Sequence, residues 1–115
     1  MPKIAITSDL LRSRVNESST AVFTANFYSD AWVATAPTTA RYRIDSLDTG
    51  QAILEWQNLT PATSNTITVT GAQNAILDGC RNEERRQLTV EANVGLSTQY
   101  QVTKDWYIRN LVGQS

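Results

Sequence analysis

The chain has 115 residues, a net charge of −1 at pH 7, and an ordinary globular balance of 41% hydrophobic and 18% charged residues. That balance excludes a disordered chain, and it leaves no general basic excess to neutralise a phosphate backbone. With no histidine and a single cysteine, Cys80, the chain also lacks the commonest general base, the commonest metal ligand and any internal disulfide.

The length fits one domain, 1–115, since shorter pieces would bury too little core. The first twenty residues lack the apolar centre of a signal peptide, and no run approaches the roughly 20 apolar residues of a membrane span. The expected partners therefore include neither membrane nor nucleic acid.

In chain order, IAIT (4–7) reads as a short strand. SDLLRSRVNESST (8–20) has Leu10, Leu11 and Val15 near helical spacing, but Arg and Ser interrupt it. The segment 1–18 reads as an arm with one helical turn, or as a first edge strand. TAVFTANFYS then alternates cleanly, with Ala21, Phe23, Ala25 and Phe27 on one face. ARYRIDS sets Tyr42 and Ile44 against Arg41, Arg43 and Asp45. AILEWQN puts Leu54 and Trp56 on one face, which makes Trp56 a core residue with a truncation cost of about 3–5 kcal/mol. NTITVTG alternates Ile67 and Val69 with Thr, and RQLTVEANV alternates Leu88, Val90, Ala92 and Val94 with polar residues. From Tyr100 and Val102 a last alternation begins, with a shift expected near Lys104. GAQNAILDGCRNEERR (71–86) holds a short helical turn in this reading.

Turn signals separate these runs, and no strand–helix alternation is visible. The expectation is an all-β, immunoglobulin-like antiparallel β-sandwich of about seven strands with a short N-terminal arm. A barrel is the alternative closure.

Few residues suggest chemistry. Glu83-Glu84-Arg85-Arg86 offers paired carboxylates, but adjacent strand residues point to opposite sides. It reads as a charged corner at the entrance to the strand that begins at Leu88. Cys80 has no base and reads as a small hydrophobe. Asp48-Thr49-Gly50 lies between two strands and reads as a hairpin turn with Gly50 at positive φ. No calcium loop or metal-ligand spacing occurs, and no cofactor is implied. Asn16 and Asn58 match the glycosylation pattern by chance.

That leaves contact residues. Trp32 lies in a loop, where it covers one end of the sandwich or anchors a partner. Of the neighbours Trp106 and Tyr107, one faces outward. Leu10, Leu11, Arg12 and Arg14 on the arm, with Trp32 and Tyr107, form the expected interface set.

Three phrases carry a family resemblance: VNESSTA (15–21), ARYRIDSLDTGQAILEW (40–56) and NEERRQLTVEA (82–92), followed by WYIRNL (106–111). Together they resemble the small immunoglobulin-like or fibronectin-III-like structural proteins of tailed phages and prophages, from about residue 15 to 112. The resemblance implies a non-enzymatic virion protein, assembled in the bacterial host cytoplasm. A capsid decoration or accessory role comes first; a tail or connector component, or a module binding a host-surface glycan or protein, is the alternative. The implied partners are major capsid or tail proteins, and homo-oligomer formation is compatible.

Overall fold

The computed structural model describes residues 2–10, 14–75, 83–97 and 99–109. Within them lie eight strands: β1 Lys3–Ser8, β2 Arg14–Asn16, β3 Ala21–Tyr28, β4 Ala40–Ser46, β5 Ala52–Leu59, β6 Ser64–Val69, β7 Glu83–Ala92 and β8 Tyr100–Arg109. They form a three-stranded sheet, β1-β3-β6, and a five-stranded sheet, β2-β8-β7-β4-β5. Both sheets end in edge strands, so the closure is a sandwich and not a barrel. Neighbours run antiparallel except β2, which lies parallel to β8 with Arg14 beside Tyr107 and Asn16 beside Arg109.

The period-two pattern produces this packing directly. Ala21, Phe23, Ala25 and Phe27 of β3, with Ile67 and Val69 of β6, are buried on the inner face of one sheet. Ala40 and Ile44 of β4, Leu88, Val90 and Ala92 of β7, and Trp106 and Ile108 of β8 are buried on the other. Phe23 and Trp106 meet across the layers with ring centroids 4.9 Å apart. Such tilted pairs add about 0.5–1.5 kcal/mol beyond area burial.

The N-terminal segment is an edge strand of its own sandwich. β1 pairs with β3 along its whole length, from Lys3 beside Tyr28 to Ser8 beside Phe23. Ile4, Ile6 and Leu10 pack against the core. The chain then changes sheets and reaches β2, where a helical turn had been expected. Leu11, Arg12 and Cys80 lie outside the described residues.

Three expectations are corrected. Trp56 is not core. The β4–β5 register shifts between Tyr42 and Ile44 and again between Ile44 and Asp45. Each shift inserts an extra residue into β5, and an extra residue turns the following side chain to the opposite face. Leu54 therefore sits opposite Ile44 inside, while Trp56 emerges outside. There the guanidinium carbon of Arg41 lies 4.0 Å from its ring centroid and that of Arg43 lies 5.5 Å away. The shift expected at Lys104 is absent, because β8 pairs with β7 residue for residue from Tyr100 to Arg109 and Lys104 stands opposite Leu88. Thr89 and Glu91 face outward as expected, yet both are buried, Glu91 under a two-bond grip from Arg41 at 2.6 and 2.9 Å.

Gly50 takes φ +74° in the β4–β5 turn, the left-handed region that glycine enters without steric cost. Gly71 is required for a different reason. A Cβ there would stand 2.4 Å from the Ser18 carbonyl oxygen, so the turn after β6 lies against backbone that a side chain would displace.

Trp106 and Trp56 separate the inner from the outer face in one experiment. Trp106→Ala should cost about 3–5 kcal/mol, as for large buried truncations. Trp56→Ala should cost less, about 1–2 kcal/mol, the scale of cation–π contacts at a half-buried side chain. Urea unfolding of both variants measures the difference.

Candidate functional site

Three places concentrate polar or aromatic side chains. The first is buried and holds the charged stretch. β7 begins at Glu83, so these charges lie within the strand and not at a corner before it. Glu84 and Arg86 alternate onto the inner face and are both fully buried. Arg86 Nε donates to Glu84 Oε2, and its two terminal nitrogens donate to the backbone carbonyls of Gln73 and Ala75. Asn74, between those two residues, accepts from Trp106 Nε1 at 3.1 Å and donates to the Ser19 carbonyl at 2.7 Å. Every bond of this network closes on the protein itself. Its work is to hold the 70–75 turn between the sheets, since a buried charge is tolerated only when paired and hydrogen-bonded.

The second place is the outer face around Trp56. Arg41 is spent on Glu91, and Arg43 on Asp45 at 2.7 and 2.9 Å. The Asp45 carboxylate beside Arg43 raises the guanidinium pKa further above its usual value. These are cross-strand and same-face pairs that stiffen the sheet.

The third place is the end of the sandwich where β1 starts, β3 stops, β4 starts, β7 stops and β8 starts. Here the loops leave a cleft of about 410 Å³, lined by Tyr28, Asp30, Ala31, Pro37, Asn93 and Tyr100 among others. The 93–97 segment is stitched to the loop before β4: Thr38 N donates to Asn93 Oδ1 at 2.9 Å, Asn93 N to Thr39 O at 2.8 Å, and Val94 N to Thr39 Oγ1 at 2.9 Å. Three of the four exposed large hydrophobic residues among those described belong to these loops: Trp32, Val33 and Leu96.

Trp32 has an unusual backbone. Trp32 N donates to Ser29 O at 3.0 Å and Ser29 N to Val33 O at 2.9 Å, so residues 30–32 form a three-residue loop closed by the Ser29–Val33 pair. In such loops the third residue is left-handed and is normally glycine. Here it is Trp32, with φ +61° and 61% of its surface exposed. A bulky residue at positive φ costs on the order of 1–3 kcal/mol. Lys3 Nζ stands 4.8 Å from the Trp32 ring centroid and bonds the Asp30 carbonyl at 3.2 Å, while the Tyr28 ring lies 5.6 Å away. The indole is thus braced on one side and open on the other.

The expected interface residues do not form one cluster. Trp32 is at the loop end. Arg14 and Tyr107 lie together at the opposite end, on the outer face, with Arg14 3.2 Å from Glu83 and 6.0 Å from the Tyr107 ring. Leu10 packs on the core. The contributions of Val33, Leu96 and Tyr100 to the loop end were not read from sequence, because only the register brings their loops together.

No family model matches the chain, and no curated protein matches it. Among solved structures it is similar to a conjugative transposon lipoprotein from Bacteroides eggerthii, with 14% identity, 90% of this chain and 95% of that chain covered, and a TM-score of 0.50. That similarity shows a shared fold. It also corrects the expected phage virion role: the neighbour found belongs to a conjugative transposon and not to a phage head or tail, so neither capsid decoration nor a tail part is retained.

Two outcomes follow from the buried groups. Arg86→Met should cost about 3–5 kcal/mol by stranding Glu84, while the double variant with Glu84→Leu should recover most of that loss; chemical unfolding of the single and double variants measures it. Burial at the cleft raises the Tyr100 phenol pKa above its usual value. The folded state then holds its proton longer than the unfolded chain, whose tyrosine titrates near about 10. This contribution is complete below that pH and is lost as pH rises through the higher folded value. Unfolding of the protein and of Tyr100→Phe between pH 8 and pH 11 should show a steeper alkaline decline for the tyrosine form.

Proposed function

We propose that the chain is a non-enzymatic binding module that takes a short apolar segment of a partner protein at its loop end. One observation carries this reading: Trp32 occupies a left-handed position at a conformational cost and stays mostly exposed beside a preformed cleft. Strain of this kind persists where the surroundings enforce it, and it gathers at ligand-contacting sites. A tryptophan followed by the exposed Val33, next to a cleft lined by Tyr28, Pro37 and Tyr100, has the composition of an interface anchor. The apolar lining favours a protein segment over a phosphate-rich ligand. From the conjugative transposon lipoprotein we carry over, on fold alone, the setting of a mobile genetic element.

Selection of a random linear peptide library on the immobilised domain tests this reading. The selected peptides should be rich in large apolar residues and should bind the Trp32→Gly variant at least about tenfold more weakly, a loss of about 1.4 kcal/mol. Glycine relieves the strained φ, so the variant should keep its unfolding free energy to within about 1 kcal/mol. Peptides that bind the variant equally well, or no enrichment at all, overturn the proposal. A large stability loss with glycine would make Trp32 a loop lock instead.

A further inference from the structure

A sandwich of two open sheets has four edges, and three of them carry a feature that discourages further pairing. β1 contains Lys3, β2 has three residues with Arg14 among them, and β5 has two register shifts and carries Glu55. Short strands, charges and bulges are the means by which proteins protect exposed edges. β6 has none of these. It is six residues long, SNTITV, and pairs with β3 in unbroken register from Asn26 beside Ser64 to Ala21 beside Val69. No charged residue occurs anywhere from Trp56 to Leu77.

The backbone of β6 is also ready to pair. Phe27 N donates to Thr63 O at 2.9 Å, which makes Phe27 and Thr63 a hydrogen-bonded pair. Antiparallel ladders alternate, so Asn65, Ile67 and Val69 turn their backbone groups toward β3. Ser64, Thr66 and Thr68 turn theirs away from β3, to an edge that pairs with no other strand among the described residues. The side chains of these same three residues are exposed, while Ile67 and Val69 are buried.

We infer that the β6 edge pairs with a second copy of itself, antiparallel about a two-fold axis, joining the two three-stranded sheets into one. With Thr66 on the axis, Thr66 faces its own symmetry mate and Ser64 faces Thr68. All three outward N–H and C=O pairs of each copy are then used, forming about six hydrogen bonds across the axis by the antiparallel pattern. Self-pairing brings identical residues together, so any charge near the axis would meet its like. β6 carries no charge, and its exposed Thr and Ser make favourable cross-strand pairs. An isologous contact of this kind closes at two copies. Edge pairing alone buries a small area, so the dimer is weak and concentration-dependent.

Sedimentation of the full chain from about 1 µM to about 1 mM tests the inference, over the range expected of small interfaces. The protein should pass from monomer to dimer across that range. Thr66→Lys keeps the backbone N–H and alters only an exposed side chain, but it places two ammonium groups on the axis. It should shift the midpoint at least tenfold upward, with its unfolding transition little changed. Amide exchange at Thr66 and Thr68 should slow as the unsubstituted protein is concentrated, while exchange at Ile67 should not change. A monomer at every concentration overturns the inference. So does a dimer that Thr66→Lys leaves intact, and so does a dimer abolished by Trp32→Gly, which would assign self-association to the loop end.

Discussion

A guanidinium group buried between two sheets sets the terms for one whole end of this protein. Arg86 is fully buried, so its donors must find acceptors inside the fold. One is the neighbouring inward carboxylate of Glu84; the others are the carbonyls of Gln73 and Ala75. Those carbonyls are available only if the turn after β6 folds back over the core. Asn74 is carried with that turn and meets the Trp106 indole and the Ser19 carbonyl. Gly71 lets the same turn lie against Ser18. Two strands of the five-stranded sheet, β7 and β8, and two connections that lead to or from the other sheet are thereby linked around one buried cation. Its value lies less in net energy than in requiring one arrangement of the end it closes.

The two ends of the sandwich use their side chains differently. At the Arg86 end the buried side chains of Glu84, Arg86, Asn74 and Trp106 bond to one another and to backbone carbonyls. The loop end keeps a cleft, an exposed indole and a left-handed backbone turn. Strained loop conformations persist only on a well-determined scaffold, which the paired strands of the two sheets supply. The proposed binding therefore lies at the loop end and not at the more conspicuous charged stretch.

The fold class was legible from sequence because period-two alternation survives in β3, β6 and β7, where inward residues are apolar. It failed at β5, since a bulge leaves no mark on composition and Trp56 has the same identity on either face. It failed again at the start of β7. There alternation was present but written in charges, and Glu84 and Arg86 hold inward positions that an apolar template passes over. Trp32 was recognised as a loop aromatic. Its cleft was not, because Tyr28, Pro37, Asn93 and Tyr100 are joined only by strand register and by side chain–backbone bonds such as Thr38 to Asn93.

The change of sheet between β1 and β2 has a mechanical side. Lys3 begins at the loop end, while β8 finishes at Arg109 at the opposite end. β2 lies parallel to that last strand, and Glu17 N adds a 2.9 Å bond to the Arg109 carbonyl. Tension applied between Lys3 and Arg109 would draw β1 lengthwise along β3 and β2 lengthwise along β8. Their hydrogen bonds lie across that direction, so they share the pull and yield together instead of opening one at a time. A patch of three residue pairs thus acts as a shear clasp, and resistance to force at this seam follows the unfolding rate and not the equilibrium stability.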